Sequence, residues 1–402
     1  MDKRAFPGSA VIICIALLAI VARAQDEQWL RYHSAREVRL VGFSSNSRNL
    51  EVITEKPDGV ALPEFKPALN SSNGSDEPVF AKWPTPMVQN GYLWIALHRT
   101  HNNGPHDKLY IDSNGDGSLN NETAFSAYRT TQNYTYFGPV KVVFQIEDGP
   151  VTYHLNFQFY GSADSSRKRL YASSGGWYEG DVAVNGAKKH CVLFDYNANG
   201  TFNDKALDPD ESDRIRIGRA GSQDTRFVGN YLDVDGKYFI PEIARDGACI
   251  KLAEAKDVKF GKVRLPESVT ELSAGGENGL FTVKPENKVA PLPVGKYRIV
   301  AWTIERKDDK ETSWKLQASR PEKETDFEIN AEIETALSVG EPIVSSLNSR
   351  QRNGTHYFDQ SLKGRNGERI TFTRNGARPQ APKLNIKNKD GTYDRTYSFS
   401  YG

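Results

Sequence analysis

Along residues 140–159 apolar and polar side chains alternate with a period of two, reverse once, and alternate again. Val140, Val142, Phe144 and Ile146 fall on one side, with Lys141, Val143 and Gln145 on the other. After Asp148-Gly149 the pattern returns through Val151, Tyr153, Leu155, Phe157 and Phe159, opposite Thr152, His154, Asn156 and Gln158. Successive strand residues point to opposite faces, so such a segment buries one face and wets the other as an antiparallel hairpin. A second hairpin is predicted over 177–184 and 188–194, because Asn185-Gly186 suits the two positive-φ positions of a type I′ turn. Further strands are read at 37–43, 50–56, 92–97, 108–111, 214–217 and 238–243, and 63–77 reads as a Pro/Asn/Ser-rich surface loop. Helical periodicity is nearly absent. The expected fold class is mainly β, with antiparallel sheets.

Two loops after apolar strands carry the pattern of a calcium site. Calcium takes six to eight oxygen ligands, which a short loop supplies from alternate residues. In the first loop Asp112, Asn114 and Asp116 stand at positions 1, 3 and 5, and Gly117 at position 6 permits the reversal. Ser118 at position 7 offers its carbonyl and Asn120 stands at position 9. An EF-hand would place a bidentate Glu at position 12, where this chain has Thr123; Glu122 comes one residue early. No amphipathic helix precedes the loop, so a strand-loop-strand calcium hairpin is expected. The second loop repeats the pattern with Asp195, Asn197, Asn199, Gly200, Thr201 and Asn203, and Asp204, Asp208 or Asp210 is available to complete it. It has fewer carboxylates in its motif, so it reads as the weaker site. The plain alternative for both is an Asn/Gly/Asp turn without metal. Asp233, Asp235 and Gly236 read only as an Asp-Gly hairpin turn.

Residues 1–24 have the form of a secretory signal peptide: Lys3 and Arg4, an apolar core at 10–21, and Ala22-Arg-Ala24 for cleavage. A secreted or periplasmic location is therefore expected, with no membrane span. Of the 52 basic and 51 acidic residues, that segment takes three and one, so 49 and 50 remain. A near-neutral chain argues against nucleic acid as a partner. Cys191 and Cys249 lie in strand-like context; buried thiols are the plain reading, and a disulfide is chemically permitted outside the cytosol.

From Lys256 the composition changes. Gly279-Leu-Phe-Thr-Val, followed by Leu292-Pro-Val-Gly-Lys-Tyr-Arg-Ile-Val, resembles the transthyretin-like or immunoglobulin-like sandwich modules of secreted bacterial proteins. That resemblance implies a β-sandwich at 256–335, with Val300, Trp302 and Ile304 on one core face and Trp314 and Leu316 opposite. Residues 336–402 then form either a second small sandwich or part of the preceding one. The β-rich domain with the calcium-type loops spans 25–255. Taken whole, the chain is similar to uncharacterised secreted bacterial β-proteins that pair Asp-x-Asn-x-Asp-Gly loops with C-terminal sandwiches, a group that brings no known activity.

Other clusters carry less. His98, His101 and His106 with Asp107 fit no closed zinc spacing and read as a polar connecting loop. His154, on the polar side of its strand, reads as solvated. Trp29, Trp83, Trp94 and Trp177 could form a sugar platform, although strand aromatics are usually core. No catalytic residues are identified: Gly-x-Ser-x-Gly, His-Glu-x-x-His and phosphate-binding glycine loops are missing. The expected role is binding or structural, toward an extracellular glycan or protein, with Ca2+ as a structural ion. The alternative is a secreted hydrolase acting on polysaccharide.

Overall fold

The computed structural model describes residues 27–36, 46–63, 65, 78–101, 104–147, 149–161, 167–319 and 321–401. The segment read as a signal peptide, the strand at 37–43, most of the 63–77 loop and Asp148 lie outside the described residues. Among the described residues every regular element is a strand, and no helix is long and apolar enough to cross a membrane. The chain divides into two compact units, one of residues 1–205 with 210–255 and the other of 206–209 with 256–402.

Among the described residues the first unit contains four antiparallel sheets. The long hairpin pairs Tyr134–Ile146 with Gly149–Tyr160 in the middle of a five-stranded sheet. Its alternating side chains do as the pattern requires: Phe137, Val140, Val142, Phe144, Tyr153, Leu155, Phe157 and Phe159 are all buried, while Lys141 and Gln145 are exposed. The Asn185-Gly186 hairpin joins Gly176–Val184 to Ala187–Phe194, with φ of 52° and 75° at the two turn residues as type I′ geometry demands. Asp235 and Gly236 turn the same way between Leu232–Val234 and Lys237–Ile243. Val79–Pro84, Tyr92–His98, Lys108–Ile111 and Phe125–Ser126 form the sheet that feeds the first candidate loop. The strand expected at 50–56 is instead Arg48–Leu50, with Ile53 held by a single bridge to Phe80. One apolar cluster, including Trp83, Leu93, Phe144, Tyr153, Leu193 and Ile250, unites the four sheets. Cys191 is buried and Cys249 half-buried; both are free thiols.

The second unit has a three-stranded sheet, an eight-stranded sheet and a terminal two-stranded hairpin. Residues 336–402 contribute Val344–Arg352, Thr355–Lys363 and Arg369–Arg374 to the eight-stranded sheet, and Lys383–Lys387 with Asp394–Ser398 as the separate hairpin. The expected face through Val300 is corrected. Pairing of Glu271–Gly276 with Gly295–Lys307 shifts register between Ser273 and Ala274. That irregularity puts Ile299 and Tyr297 in the core beside Trp302 and Ile304, and leaves Val300 only half-buried. Leu316 lies opposite Ile304 as expected, whereas Trp314 lies opposite Arg306.

The long hairpin also carries an irregularity, where Phe137 and Val140 face Phe157 and Leu155. Gly138 sits there at φ 135°, and a Cβ on it would lie 2.1 Å from Asn156 Oδ1 and 3.1 Å from Asn156 Cα. Gly138→Ala should therefore destabilise the protein by roughly 1–3 kcal/mol, as a strained backbone position does. The check is a lower urea midpoint with an unchanged m-value; an unaltered midpoint would show that the bulge relaxes freely.

Candidate functional site

The two Asp-x-Asn loops are conformational repeats, and their hydrogen bonds coincide position by position. In the first, the N–H groups of Asp116 and Gly117 donate to Asp112 Oδ1 and Oδ2 at 3.0 and 2.9 Å. Asp116 N–H also donates to Asn114 Oδ1 (3.1 Å), and Ser118 N–H to Asp116 Oδ1 (2.8 Å). In the second, Asn199 and Gly200 donate to Asp195 at 3.4 and 2.8 Å, Asn199 to Asn197 Oδ1 at 3.1 Å, and Thr201 to Asn199 Oδ1 at 2.9 Å. Both loops turn left-handed at positions 4 and 6: Gly115 and Gly117 at φ 74° and 80°, Ala198 and Gly200 at 54° and 96°. Position 4 was not singled out in the sequence, because Ala198 hides there what Gly115 shows.

The loops differ in what closes them. In the first, Asn121 Nδ2 reaches Asp116 Oδ2 at 2.8 Å, and Ser118 Oγ donates to Asn120 Oδ1 at 2.7 Å. Glu122 accepts from Ser113 N–H and Oγ–H at 2.8 and 2.7 Å, so its carboxylate ties the two ends of the loop together. In the second, Asp204 takes the closing position. Its Oδ2 accepts from Asn197 Nδ2, Asn199 Nδ2 and Thr201 Oγ at 3.1, 2.7 and 2.9 Å. Asn203 turns away, its amide 3.5 Å from the Ile243 carbonyl. Of the other candidates to complete the loop, Asp208 falls in the short segment that clusters with the second unit.

Asp213 joins this cluster unannounced. It precedes the Arg214–Gly218 strand, and its carboxylate accepts from Tyr196 N–H at 3.0 Å and Asp204 N–H at 2.9 Å. Glu211 also approaches, its Oε2 3.3 Å from Asn197 Nδ2. The second loop thus gathers more carboxylates than the first, although its motif holds fewer.

Electrostatics follow burial. Asp195 and Asp213 are fully buried. Burial, with the Asp204 charge adding to it, pushes Asp195 up to about 7 against the hydrogen bonds from Tyr153 and Gly200. Burial and then the charges of Asp195 and Asp204 push Asp213 well above the usual carboxylate range. In the first loop burial raises Asp112, whereas the hydrogen bond from Asn121 lowers the exposed Asp116. All the donor atoms are hard oxygens of carboxylate, amide, hydroxyl and carbonyl groups, the set that suits calcium or magnesium rather than zinc or copper. Among the described residues no group of three or more His, Cys, Asp or Glu is gathered as a metal-ligand set. The carboxylate oxygens instead face the N–H donors of their own loops.

The histidine segment connects Tyr92–His98 to Lys108–Ile111 as the polar loop the sequence suggested, but much of it is buried. His98, Arg99 and His106 are buried, while His101 is exposed. His98 stacks on Phe65 at 4.8 Å, and His106 meets the Phe159 ring edge-on at 4.8 Å. Arg99 Nε donates to His106 Nδ1 at 3.3 Å. His154 is half-buried and stacked on Tyr32 at 5.6 Å, so it too is not simply solvated. No tryptophan platform forms: Trp83, Trp94 and Trp177 are core, and only Trp29 is exposed.

Compared with known proteins, the sequence matches no family model, no curated protein and no solved structure.

His106 generates a pH prediction. Burial, then the positive charge of Arg99, lowers it to about 3 from an ordinary 6.5. Between those values the unfolded chain binds the proton and the folded one does not, so stability falls as pH drops from about 6.5 toward 3. His106→Gln, which keeps an acceptor for Arg99, should flatten that part of the urea-midpoint profile; an identical slope in wild type and variant would refute the assignment.

Proposed function

We propose that this chain is an extracellular, calcium-stabilised β-protein with a binding or structural role at a cell surface or in matrix. The observation that carries the reading is the hydrogen-bonded approach of Asp195, Asp204 and Asp213 to one loop, where burial and the Asp204 charge raise Asp195, and burial with the charges of Asp195 and Asp204 raises Asp213. A divalent cation at an all-oxygen cluster of this kind reverses that repulsion and makes the ionised carboxylates the favoured form. The second loop would hold the ion with Asp195, Asn197, Asn199, Thr201, Asp204 and Asp213. The first would use Asp112, Asn114, Asp116, Ser118 and Asn120, with Glu122 closing the loop. For 256–335 the sandwich resemblance is kept as part of the proposal, supported by the buried Leu272, Leu292, Tyr297 and Trp302.

The hydrolase alternative needs two carboxylates facing each other across a cavity. Of two cavities among the described residues, the one of 620 Å³ has no acidic lining. In the other, Glu322 is paired with Lys363 and Asp359 with Arg350. No observation favours hydrolysis over binding.

Calorimetric titration of the metal-free protein with calcium should show two sites, one lost in Asp195→Asn and the other in Asp112→Ala. Extracellular loops commonly have Kd values of roughly 10⁻⁴ to 10⁻³ M, so millimolar calcium stabilises the native state by about 1–2 kcal/mol. Chelation should accordingly lower the melting temperature by a few degrees. A flat titration, or one that neither substitution changes, would reduce both loops to turns.

A further inference from the structure

The second unit contains a cavity that the calcium reading leaves unused. It lies between Thr355–Lys363 and the terminal hairpin, is open to solvent, spans about 620 Å³, and is lined by His356, Phe358, Leu384, Ile386, Tyr393, Tyr397, Ser398 and Phe399. That volume is in the range of small-ligand pockets, which are mostly apolar with a few placed polar groups. Four aromatic rings and two aliphatic side chains make the walls. The polar groups are the His356 imidazole, the Ser398 hydroxyl, and the phenols of Tyr393 and Tyr397, which hydrogen-bond each other at 2.5 Å. Tyr393 and Tyr397 remain 37% and 44% exposed, which a residue holding together a hydrophobic core does not do.

Charge is concentrated here as well. Residues 341–402 hold eleven Lys and Arg against five Asp and Glu, in a chain whose total is only +1. One of these cations stands beside the pocket, outside the side chains that line it. Register pairs Leu384 with Tyr397 and Ile386 with Arg395, and directly opposite residues share a face, so Arg395 stands on the pocket side of the hairpin. Its guanidinium is 5.6 Å from the Tyr393 ring centroid.

We propose that this pocket binds an acidic sugar residue of an extracellular polysaccharide, a uronate unit carrying a carboxylate. A sugar ring is apolar on its C–H faces and polar around its rim. The faces of Tyr397, Tyr393 and Phe358 match the first property, and the phenols, His356 and Ser398 match the second. Arg395 supplies the fork geometry that recognises a carboxylate, and the eleven-to-five excess of basic residues attracts a polyanion. A single-stranded nucleic acid would need a cationic groove tracking several phosphates, whereas the hairpin face beside the pocket offers one guanidinium at one point. The inference rests on the binding reading of the chain, not on its calcium.

The test is titration of the full chain with a short oligogalacturonate in chelator, so that calcium cannot bridge the sugar to the acidic loops. Parallel titrations use a neutral cello-oligosaccharide and oligothymidylate. The expected result is binding of the uronate alone, weakened about tenfold by Arg395→Gln and by Tyr397→Ala, both at exposed positions where substitution leaves the fold intact. Equal binding of the neutral sugar, tighter binding of the oligonucleotide, unchanged affinity in both variants, or no uronate binding would each overturn it. Because chelator is present throughout, failure of the calcium reading leaves this result unaltered and is seen separately in the melting temperature.

Discussion

The hydrogen bond from Tyr153 Oη to Asp195 Oδ2, 2.7 Å long and fully buried, is the contact on which the first unit turns. Tyr153 lies in the middle of the longest hairpin, and its ring stacks on Trp83 at 5.8 Å and 8°. Trp83 in turn donates its indole N–H to the Ala198 carbonyl at 2.7 Å, inside the second loop. A carboxylate is thus carried to the centre of a hydrophobic core by two aromatic residues from two different sheets. Leaving such a group without partners would cost several kcal/mol, so the loop must fold back over it with N–H donors. Core and loop therefore form one cooperative object. The same packing that excludes water from Trp83 and Tyr153 also fixes the direction in which Asp195 points.

This coupling explains why the second loop is richer than its motif. A motif lists only residues within a few positions of one another, and positions 1, 3, 5 and 6 of both loops were legible for that reason. Asp213 is eighteen residues beyond Asp195 in the sequence, and reaches it because the Arg214–Gly218 strand pairs with Ala187–Phe194. Nothing in local composition marks that return. The reading of the second loop as the poorer site counted motif carboxylates, whereas the fold adds one from a neighbouring strand. Asn203 differs in the opposite sense: its spacing suits a ligand, while its amide N–H faces the Ile243 carbonyl and Asp204 takes the closing position.

Strand alternation was legible wherever pairing is regular, as in the long hairpin and the Asn185-Gly186 hairpin. It failed at bulges, where one extra residue transfers side chains to the other face; Val300 is the instance, displaced in favour of Ile299. In the histidine segment the connecting loop was legible but its burial was not. Polar residues between strands read as loop, yet His98 and Arg99 end or follow a central strand, and His106 is held against Phe159 by tertiary packing. Once buried, these side chains are apolar surfaces with hydrogen-bonding edges, a role that no spacing rule identifies.

The near-zero total charge conceals two opposed regions. Outside the leader-like segment, residues 25–340 hold 38 basic against 45 acidic side chains, and the surplus of positive charge is confined to 341–402. A polyanion approaching such a chain is repelled by most of it and attracted by one segment, within a range of about 8–10 Å at physiological salt. If both proposals hold, calcium at the acidic loops would weaken that repulsion without touching the basic segment, and any gain in polyanion binding that follows would need no conformational link between the two. Such a coupling is purely electrostatic, and it fades as salt screens it. A coupling through the fold would persist in high salt. The salt dependence of the calcium effect on oligogalacturonate affinity, measured on the intact chain, therefore separates the two mechanisms.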